Sequence, residues 1–171
     1  SWLVYEKIKG GKATTLGVAS GAVAGAVAIT PACGFVTPLG ALLLGLIAGI
    51  ASAWAVSLKF KWNYDDSLDV VGVHGVSGII GMLGIGFLAT TAVNEAGGNG
   101  LFFHGGTELL KNQIAGIIVV AVFSFTVTWL IATFITRTMG FRATKSDEVE
   151  GLDTIYHAES AYDISGNSNR F

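Results

Sequence analysis

The sequence predicts an all-α integral membrane protein, and three observations lead to that prediction. The 171 residues are 51% hydrophobic and only 13% charged, about half the roughly 25% charge of an average soluble domain. Mean hydropathy is +0.62. No Asp, Glu, Lys or Arg occurs within 13–58, 70–94 or 112–136. A helix of about 20 such residues spans the ~30 Å hydrocarbon core of a bilayer, whereas a helix on a soluble core would show a charged outer face.

The first charge-free stretch contains two predicted spans. As a helix rising about 1.5 Å per residue, 13–58 is too long for one crossing. Pro31, Gly34 and Pro38 interrupt it in the way that turn residues do. We therefore predict one helix on each side of this turn, at about 13–30 and 38–58.

The other two stretches predict one span each, at about 68–90 and 112–137. Residues 1–5 are expected to be the end of a preceding helix, because the chain begins with apolar residues and has no initiator Met or basic segment before them. The transmembrane part is thus 1–137. Residues 138–171 are polar and predict a tail.

Composition also excludes several classes of function. The net charge of −2 and the lack of a basic cluster predict no nucleic-acid partner. Cys33 is the single cysteine, so neither a disulfide framework nor a cysteine-ligated metal site is expected. We expect no metal, no cofactor and no enzymatic activity.

Basic residues in the loops predict the orientation of the chain. Eight lie in loops that an even number of crossings places on one side, and Lys111 is alone on the other. Because Lys and Arg concentrate in cytoplasmic loops, we predict a cytoplasmic tail and an outer location for the 31–37 turn and the 91–111 loop. The eight are Lys7, Lys9, Lys12, Lys59, Lys61, Arg137, Arg142 and Lys145.

Glycine recurs at every third position of the third predicted helix. Small residues allow transmembrane helices to approach closely, so this repeat predicts tight packing around most of that helix. The glycines are Gly72, Gly75, Gly78, Gly81 and Gly84.

Among acidic and basic side chains, only His74 lies inside a charge-free stretch. Apolar surroundings disfavour a charged imidazolium, and a neutral ring offers one hydrogen-bond donor and one acceptor. Such a ring suits a proton relay or a row of hydrogen bonds to a small polar solute. The alternative is a histidine bonded to a neighbouring helix, but ionisable residues inside membranes are usually functional.

Asp65, Asp66 and Asp69 precede the same helix. Carboxylates at a helix N-terminus cap the first amides and complement the helix dipole, which is the interpretation we favour over a metal or acid–base site. Asp69 and His74 would lie about 140° apart around an ideal helix of 3.6 residues per turn.

Three segments resemble the ammonium transporter (Amt/Mep/Rh) family. Residues 12–36 (KATTLGVASGAVAGAVAITPACGFV) are similar to its eighth helix, and 64–78 (YDDSLDVVGVHGVSG) to its tenth. Residues 151–162 (GLDTIYHAESAY) are similar to its cytoplasmic tail motif. The motifs occur in the family's order, and with their intervening spans they cover essentially the whole chain.

The resemblance implies the C-terminal part of an eleven-helix transporter with an inverted repeat, from the end of helix seven to the tail. It implies a homotrimer in the cell membrane, with ammonium or ammonia as substrate and a PII-type signalling protein as a cytoplasmic partner. His74 matches the second histidine of a pore-lining pair, and Val70 and Asp69 match the inner pore and its cytoplasmic mouth. Residues of the tail motif are expected to couple the subunits: Gly151, Leu152, Asp153, His157, Glu159 and Tyr162.

Two alternatives remain open at the level of the sequence. The chain could be a truncated regulatory or assembly subunit, or part of a Rhesus-type gas channel. The tail motif and the run DVVGVH favour the Amt branch. An upstream coding sequence with seven further helices would identify the chain as part of a transporter.

Overall fold

The fold is all-α, as predicted. The computed structural model describes residues 1–159, which divide into two compact units, Ser1–Ala121 and the part from Val122 onward. Within the described residues there is no β-strand, and Val36 and Ala89 form an isolated bridge.

Seven α-helices occur in 1–159. A π-helical turn, Val71–Val76, leads directly into the fourth, and we call the two together the π–α4 segment (Val71–Leu88). A 3₁₀ turn, Leu101–Phe103, precedes the fifth. The helices are α1 (Trp2–Gly10), α2 (Thr15–Ile29), α3 (Pro38–Trp62), α4 (Ser77–Leu88), α5 (Glu108–Thr138), α6 (Lys145–Glu150) and α7 (Leu152–His157).

Three of these elements are long and apolar enough to cross a membrane: α3, the π–α4 segment and α5. Helix α2 is apolar but has 15 residues. At about 1.5 Å per residue it is shorter than a ~30 Å hydrocarbon core. Three of the four predicted spans thus coincide with helices of sufficient length, and the four membrane crossings themselves stay a prediction.

Two helices extend further than the sequence predicts, and each ends at a residue with a left-handed backbone conformation. Helix α1 continues past residue 5 until Gly11, whose φ of 76° allows its N–H to bond the Lys7 carbonyl. Helix α3 continues past residue 58 to Trp62 and ends at Asn63, with a φ of 53°. Both predicted ends were too early because lysines in a last turn favour the helix dipole rather than stop the helix.

The starts of the later helices also differ from their predicted positions. The π–α4 segment begins at Val71 instead of 68, because residues 67–68 form a turn and Asp69 adopts a φ of 57°. Helix α5 begins at Glu108 instead of 112. An acidic residue in the first turn is favourable there, for the same dipole reason.

Threonine side chains cap the two helices on either side of the 31–37 turn. The Thr14 hydroxyl accepts from the Gly17 N–H at 2.9 Å at the start of α2. The Thr37 hydroxyl accepts from the Gly40 N–H at 3.2 Å at the start of α3, where Pro38 occupies the first turn. Each cap satisfies one amide that the helix itself leaves without an acceptor.

The Ser1–Ala121 unit contains two clusters of buried apolar residues. One joins α1, α2, α3 and the π turn, and the other joins α3, α4 and the segments next to the Val36–Ala89 bridge. The first consists of Trp2, Ala24, Ala53 and Val73; the second of Ala32, Val36, Leu44, Ile85 and Ala89.

Three of the five repeated glycines mark close contacts. A methyl group at Gly72 would lie 2.6 Å from Val56 Cγ2, and one at Gly81 would meet the Ala28 carbonyl. Gly84 packs in the same way against Leu44. A methyl group at Gly75 or Gly78 would meet nothing within 4 Å. Within this chain, tight packing is therefore found on one side of the helix, and for the side of Gly75 and Gly78 it stays a prediction.

Candidate functional site

His74 lies in the π-helical turn at the start of the π–α4 segment. Such turns widen the helix by one residue, are rare, and occur often at functional sites. Within the turn, the Val73 N–H donates back to the Asp69 carbonyl at 2.8 Å. After it, the Ser77 N–H donates to the His74 carbonyl. His74 is therefore held through its backbone while its side chain is exposed.

The turn has one buried and one exposed side. Gly72 and Val73 are buried against α3 and α1. The exposed side, which we call the open face, presents one imidazole among aliphatic side chains and bare backbone. A hydrogen-bonding ring on an apolar surface is the arrangement that would contact a small polar solute. The open face consists of Val70, Val71, His74, Gly75 and Ile79.

Asp66 caps the start of this segment. Its carboxylate accepts from the Val70 N–H at 2.8 Å and from the Val71 N–H at 3.0 Å. These amides would otherwise lack acceptors at the helix start. Of the three predicted capping aspartates, Asp66 therefore performs that role, while Asp65 accepts from the Ser67 hydroxyl at 3.3 Å.

Asp69 makes a different contact. Its carboxylate forms an ion pair with Lys59 of α3, and the same ammonium group donates to the Asp66 carbonyl at 3.0 Å. The side chains of Lys59 and Asp69 are 16% and 21% exposed. For Asp69 the capping interpretation is therefore wrong: its carboxylate engages α3 and does not share the open face with His74.

A pair of serine hydroxyls lies behind His74. The Oγ atoms of Ser52 in α3 and Ser77 in α4 are 2.7 Å apart, and both residues are fully buried. Burying a hydroxyl is unfavourable unless it is hydrogen-bonded, and here each satisfies the other.

The tail contains a compact arrangement of α6 and α7. Thr144 and Asp147 form a capping box at the start of α6. The Tyr156 hydroxyl of α7 donates to the Asp147 carboxylate at 3.0 Å. A hydrogen bond with the Thr144 side chain and the one from Tyr156 hold the pKa of Asp147 below its ordinary value. The Asp147 carboxylate in turn raises the pKa of Tyr156.

The predicted tail residues are centred on the junction between these helices. Gly151 has a φ of 108°, which favours glycine, and its N–H donates to the Asp147 carbonyl at 2.9 Å. The chain closes after α7, where the Glu159 N–H donates to the Asp153 carbonyl at 3.2 Å. Leu152 and His157 are the first and last residues of α7, and both are exposed. Tyr162 lies outside the described residues.

Comparison with known proteins now identifies the family. Residues 1–162 match the model of the Ammonium Transporter Family. An ammonium transporter of Mycobacterium tuberculosis is 48% identical over 169 residues, and one of Bacillus subtilis is 46% identical over 165. Each alignment covers 96% of this chain.

The chain belongs to the ammonium transporter family.

Solved structures agree with this membership in the ammonium transporter family. Saccharomyces cerevisiae Mep2 superposes with a TM-score of 0.77 at 33% identity, over 85% of this chain. Candida albicans Mep2 superposes with a TM-score of 0.79 at 30% identity, over 98%. The resemblance read from the three sequence motifs is therefore confirmed, and the family is one of membrane-embedded transporters and not a class of enzymes.

The chain spans about two fifths or less of its ammonium transporter relatives. It covers 35% of the Mycobacterium tuberculosis protein and 41% of the Bacillus subtilis one. For the two Mep2 structures the shares are 34% and 39%.

Sequence reasoning about this ammonium transporter chain missed Lys59, Ser52 and Ser77 as contributors to the site. The Lys59–Asp69 pair is separated by 10 positions and the serine pair by 25. No helical periodicity connects residues on two different helices, so only the fold brings them together. The buried serine pair had one sequence signal, a hydroxyl residue in an otherwise apolar and glycine-rich helix.

Proposed function

We propose that the intact protein containing this chain transports ammonium across the cell membrane, and that His74 and Val70 line its pore. Support comes from the family and from the open face, where the imidazole of His74 projects from an apolar surface. The two residues lie four positions apart, a spacing that places side chains on one helix face. Asp69, paired with Lys59, would lie at the cytoplasmic mouth of the same route.

The apolar open face favours passage of the nitrogen as neutral ammonia. A bare cation in a narrow apolar tube loses its hydration at a cost of many kcal/mol, whereas ammonia does not. Ammonium recruited outside would therefore release its proton near the pore entrance. A neutral His74 ring would then accept from, or donate to, the passing molecule.

Assembly and location complete the proposal. We infer a homotrimer in the cell membrane with a cytoplasmic tail, to which a PII-type signalling protein would have access. The one-sided distribution of lysine and arginine supports this orientation. Helix α5 has no buried residue in this chain, which is consistent with a surface covered by lipid or by other helices.

Uptake of labelled methylammonium by proteoliposomes tests the transport function. The intact protein should accumulate the label, and the His74→Ala variant should lose most of that activity while remaining folded. His104→Ala, which removes an exposed histidine from the segment between α4 and α5, is the matched control and should retain uptake. Full, selective activity in the His74→Ala protein would contradict the proposed role of His74, and absence of uptake by the parent protein would contradict the function itself.

A further inference from the structure

We propose that Ser52 and Ser77 are positioning residues that hold His74 in its π-helical turn and so set where its imidazole lies on the open face. Both side chains are fully buried, so neither residue is part of the open face. The proposal rests on the proposed function for its transport consequence, but its structural claim is independent of any substrate.

Two contacts between α3 and the π–α4 segment flank His74. On one side, Gly72 packs against Val56, where a methyl group would lie 2.6 Å from Cγ2 and 3.0 Å from the backbone nitrogen. On the other, Ser77 bonds Ser52 through the hydroxyl pair at 2.7 Å. Gly72 and Ser77 thus attach the turn to α3 before and after the histidine.

The two contacts are separated by a different number of residues on each of the two helices. Ser52 and Val56 are four residues apart on α3, which is one α-helical turn. Gly72 and Ser77 are five residues apart, which is one π turn with i→i+5 spacing. The extra residue of the π turn is accommodated because both of its ends are fixed to one turn of α3.

Loss of one contact removes this constraint. An α-helical arrangement of 71–76 would shift the chain before α4 by one residue, a rotation of about 100° around the helix axis. His74 would then leave its position relative to Ile79 and the rest of α4. The Gly72 contact alone does not prevent that shift, because a glycine against a backbone has no directional bond.

The hydroxyl pair is well suited to fix the register of the π–α4 segment against α3. Each hydroxyl is fully buried, and a buried hydroxyl without a bond is strongly disfavoured. Ser77 also donates its backbone N–H to the His74 carbonyl. One residue therefore connects the backbone of His74 to α3.

Alanine variants of the intact protein test this role. In Ser52→Ala/Ser77→Ala both hydroxyls are removed together, so the thermal midpoint should remain near that of the parent. The side-chain ¹⁵N NMR signals of His74, assigned with His74→Ala, should shift or split. Transport should fall by about tenfold or more, since small misplacements of positioned groups have effects of that size. A merely structural pair would leave the His74 signals unchanged.

Controls keep the outcomes distinct. Ser57→Ala removes a serine hydroxyl that bonds the Trp54 carbonyl within the same α3, and it should leave His74 and transport unchanged. If the double variant does not assemble, Ser52→Ala serves instead, because Ser77 can then bond a carbonyl of its own helix. Parent-like His74 signals in whichever variant folds would overturn the proposal. A parent protein that transports no ammonium would overturn the proposed function, while the NMR comparison would still decide the positioning role.

Discussion

Lys59 and Asp69 form an ion pair that joins the last turn of α3 to the segment just before the π turn, two residues ahead of Val71. Asp69 has a φ of 57°, an uncommon conformation for a residue with a side chain. The Lys59 ammonium bonds both this carboxylate and the Asp66 carbonyl. We call residues 66–69 the corner, because the helix of His74 starts from them. Lys59 thus fixes two points of this corner.

We expect Asp69→Asn to destabilise the intact protein by about 1.5–3 kcal/mol, the usual range for a lost hydrogen bond to a charged group. Asparagine tolerates a left-handed backbone, so the change removes the charge and keeps the conformation. Thermal melting in detergent measures the effect. Lys61→Met, a change to an exposed lysine in the same last turn, should leave the melting midpoint unaltered. Equal midpoints for the Asn variant and the parent would show that the pair does not stabilise the corner.

Substitutions at His74 distinguish hydrogen bonding from proton relay. His74→Gln retains one donor and one acceptor and should preserve activity if structure is the sole role of the ring. His74→Glu offers a group that exchanges protons, and should retain current with poorer selectivity between ammonium and other cations if the ring relays protons. His74→Ala should neither preserve activity nor retain current. Electrophysiology on the three variants, with trimer formation checked for each, measures these outcomes, and a selective, fully active Ala variant would remove the histidine from the mechanism.

The α6–α7 arrangement should depend on pH at both extremes. Because the pKa of Asp147 is lowered, its contribution to stability is present above about pH 4 and is lost as the pH falls through the lowered value. Because the pKa of Tyr156 is raised, its contribution is present below about pH 10 and is lost as the pH rises through the raised value. Both effects should be small, since Tyr156 is exposed and Asp147 is only partly buried.

The amide signal of Gly151 reports this arrangement by NMR, because its N–H bonds the Asp147 carbonyl. We expect the signal to move towards its random-coil position at both extremes of pH. Tyr156→Phe, which removes the hydroxyl, should abolish the alkaline change and retain the acidic one. An alkaline change that persists in this variant would mean that Tyr156 is not its cause.

Native Cys33 gives a direct test of the predicted topology. It is exposed and lies in the turn between α2 and α3, which we predict to be outside. A membrane-impermeant thiol reagent added to whole cells should label it. In a Cys33→Ser background, a cysteine introduced by Ser146→Cys should react only after the cells are opened. Reaction of both from the same side would contradict the orientation inferred from the basic loops.

Hydropathy and charge predicted the all-α class, and three motifs predicted the family. Hydropathy, charge and motifs are properties of single continuous segments, so the amino-acid sequence alone reveals them. The corner before the π turn was not predictable in the same way. Asp66 and Asp69 look equivalent as helix-capping residues, and only the position of Lys59 on α3 separates their roles.

The placement of His74 shows a second limit. The pattern indicated the right residue, but an ideal helix from 68 was assumed, and the observed turn begins at Val71 with π geometry. The π turn lies between two contacts with α3, at Gly72 and Ser77, and the sequence of 68–78 does not indicate those contacts. The same holds for Gly75 and Gly78, which the glycine repeat does not distinguish from Gly72.

Helix α5 has a length that the bilayer must accommodate. Its 31 residues correspond to about 46 Å at 1.5 Å per residue, against a hydrocarbon thickness of ~30 Å. The ends of the helix carry charge, with Glu108 in the first turn and Arg137 in the last. The charge-free stretch 112–136 is about 37 Å long at 1.5 Å per residue, and a modest tilt fits it to the hydrocarbon core. The hydroxyls of Thr136 and Thr138 bond back to the Ala132 and Phe134 carbonyls at 2.7 and 2.9 Å, so the last turns can enter lipid without an unpaired hydroxyl. Sliding of α5 along the membrane normal would bring Glu108 or Arg137 into the hydrocarbon core, which is costly for a charged group. The two charged ends therefore set the depth of α5 in the bilayer.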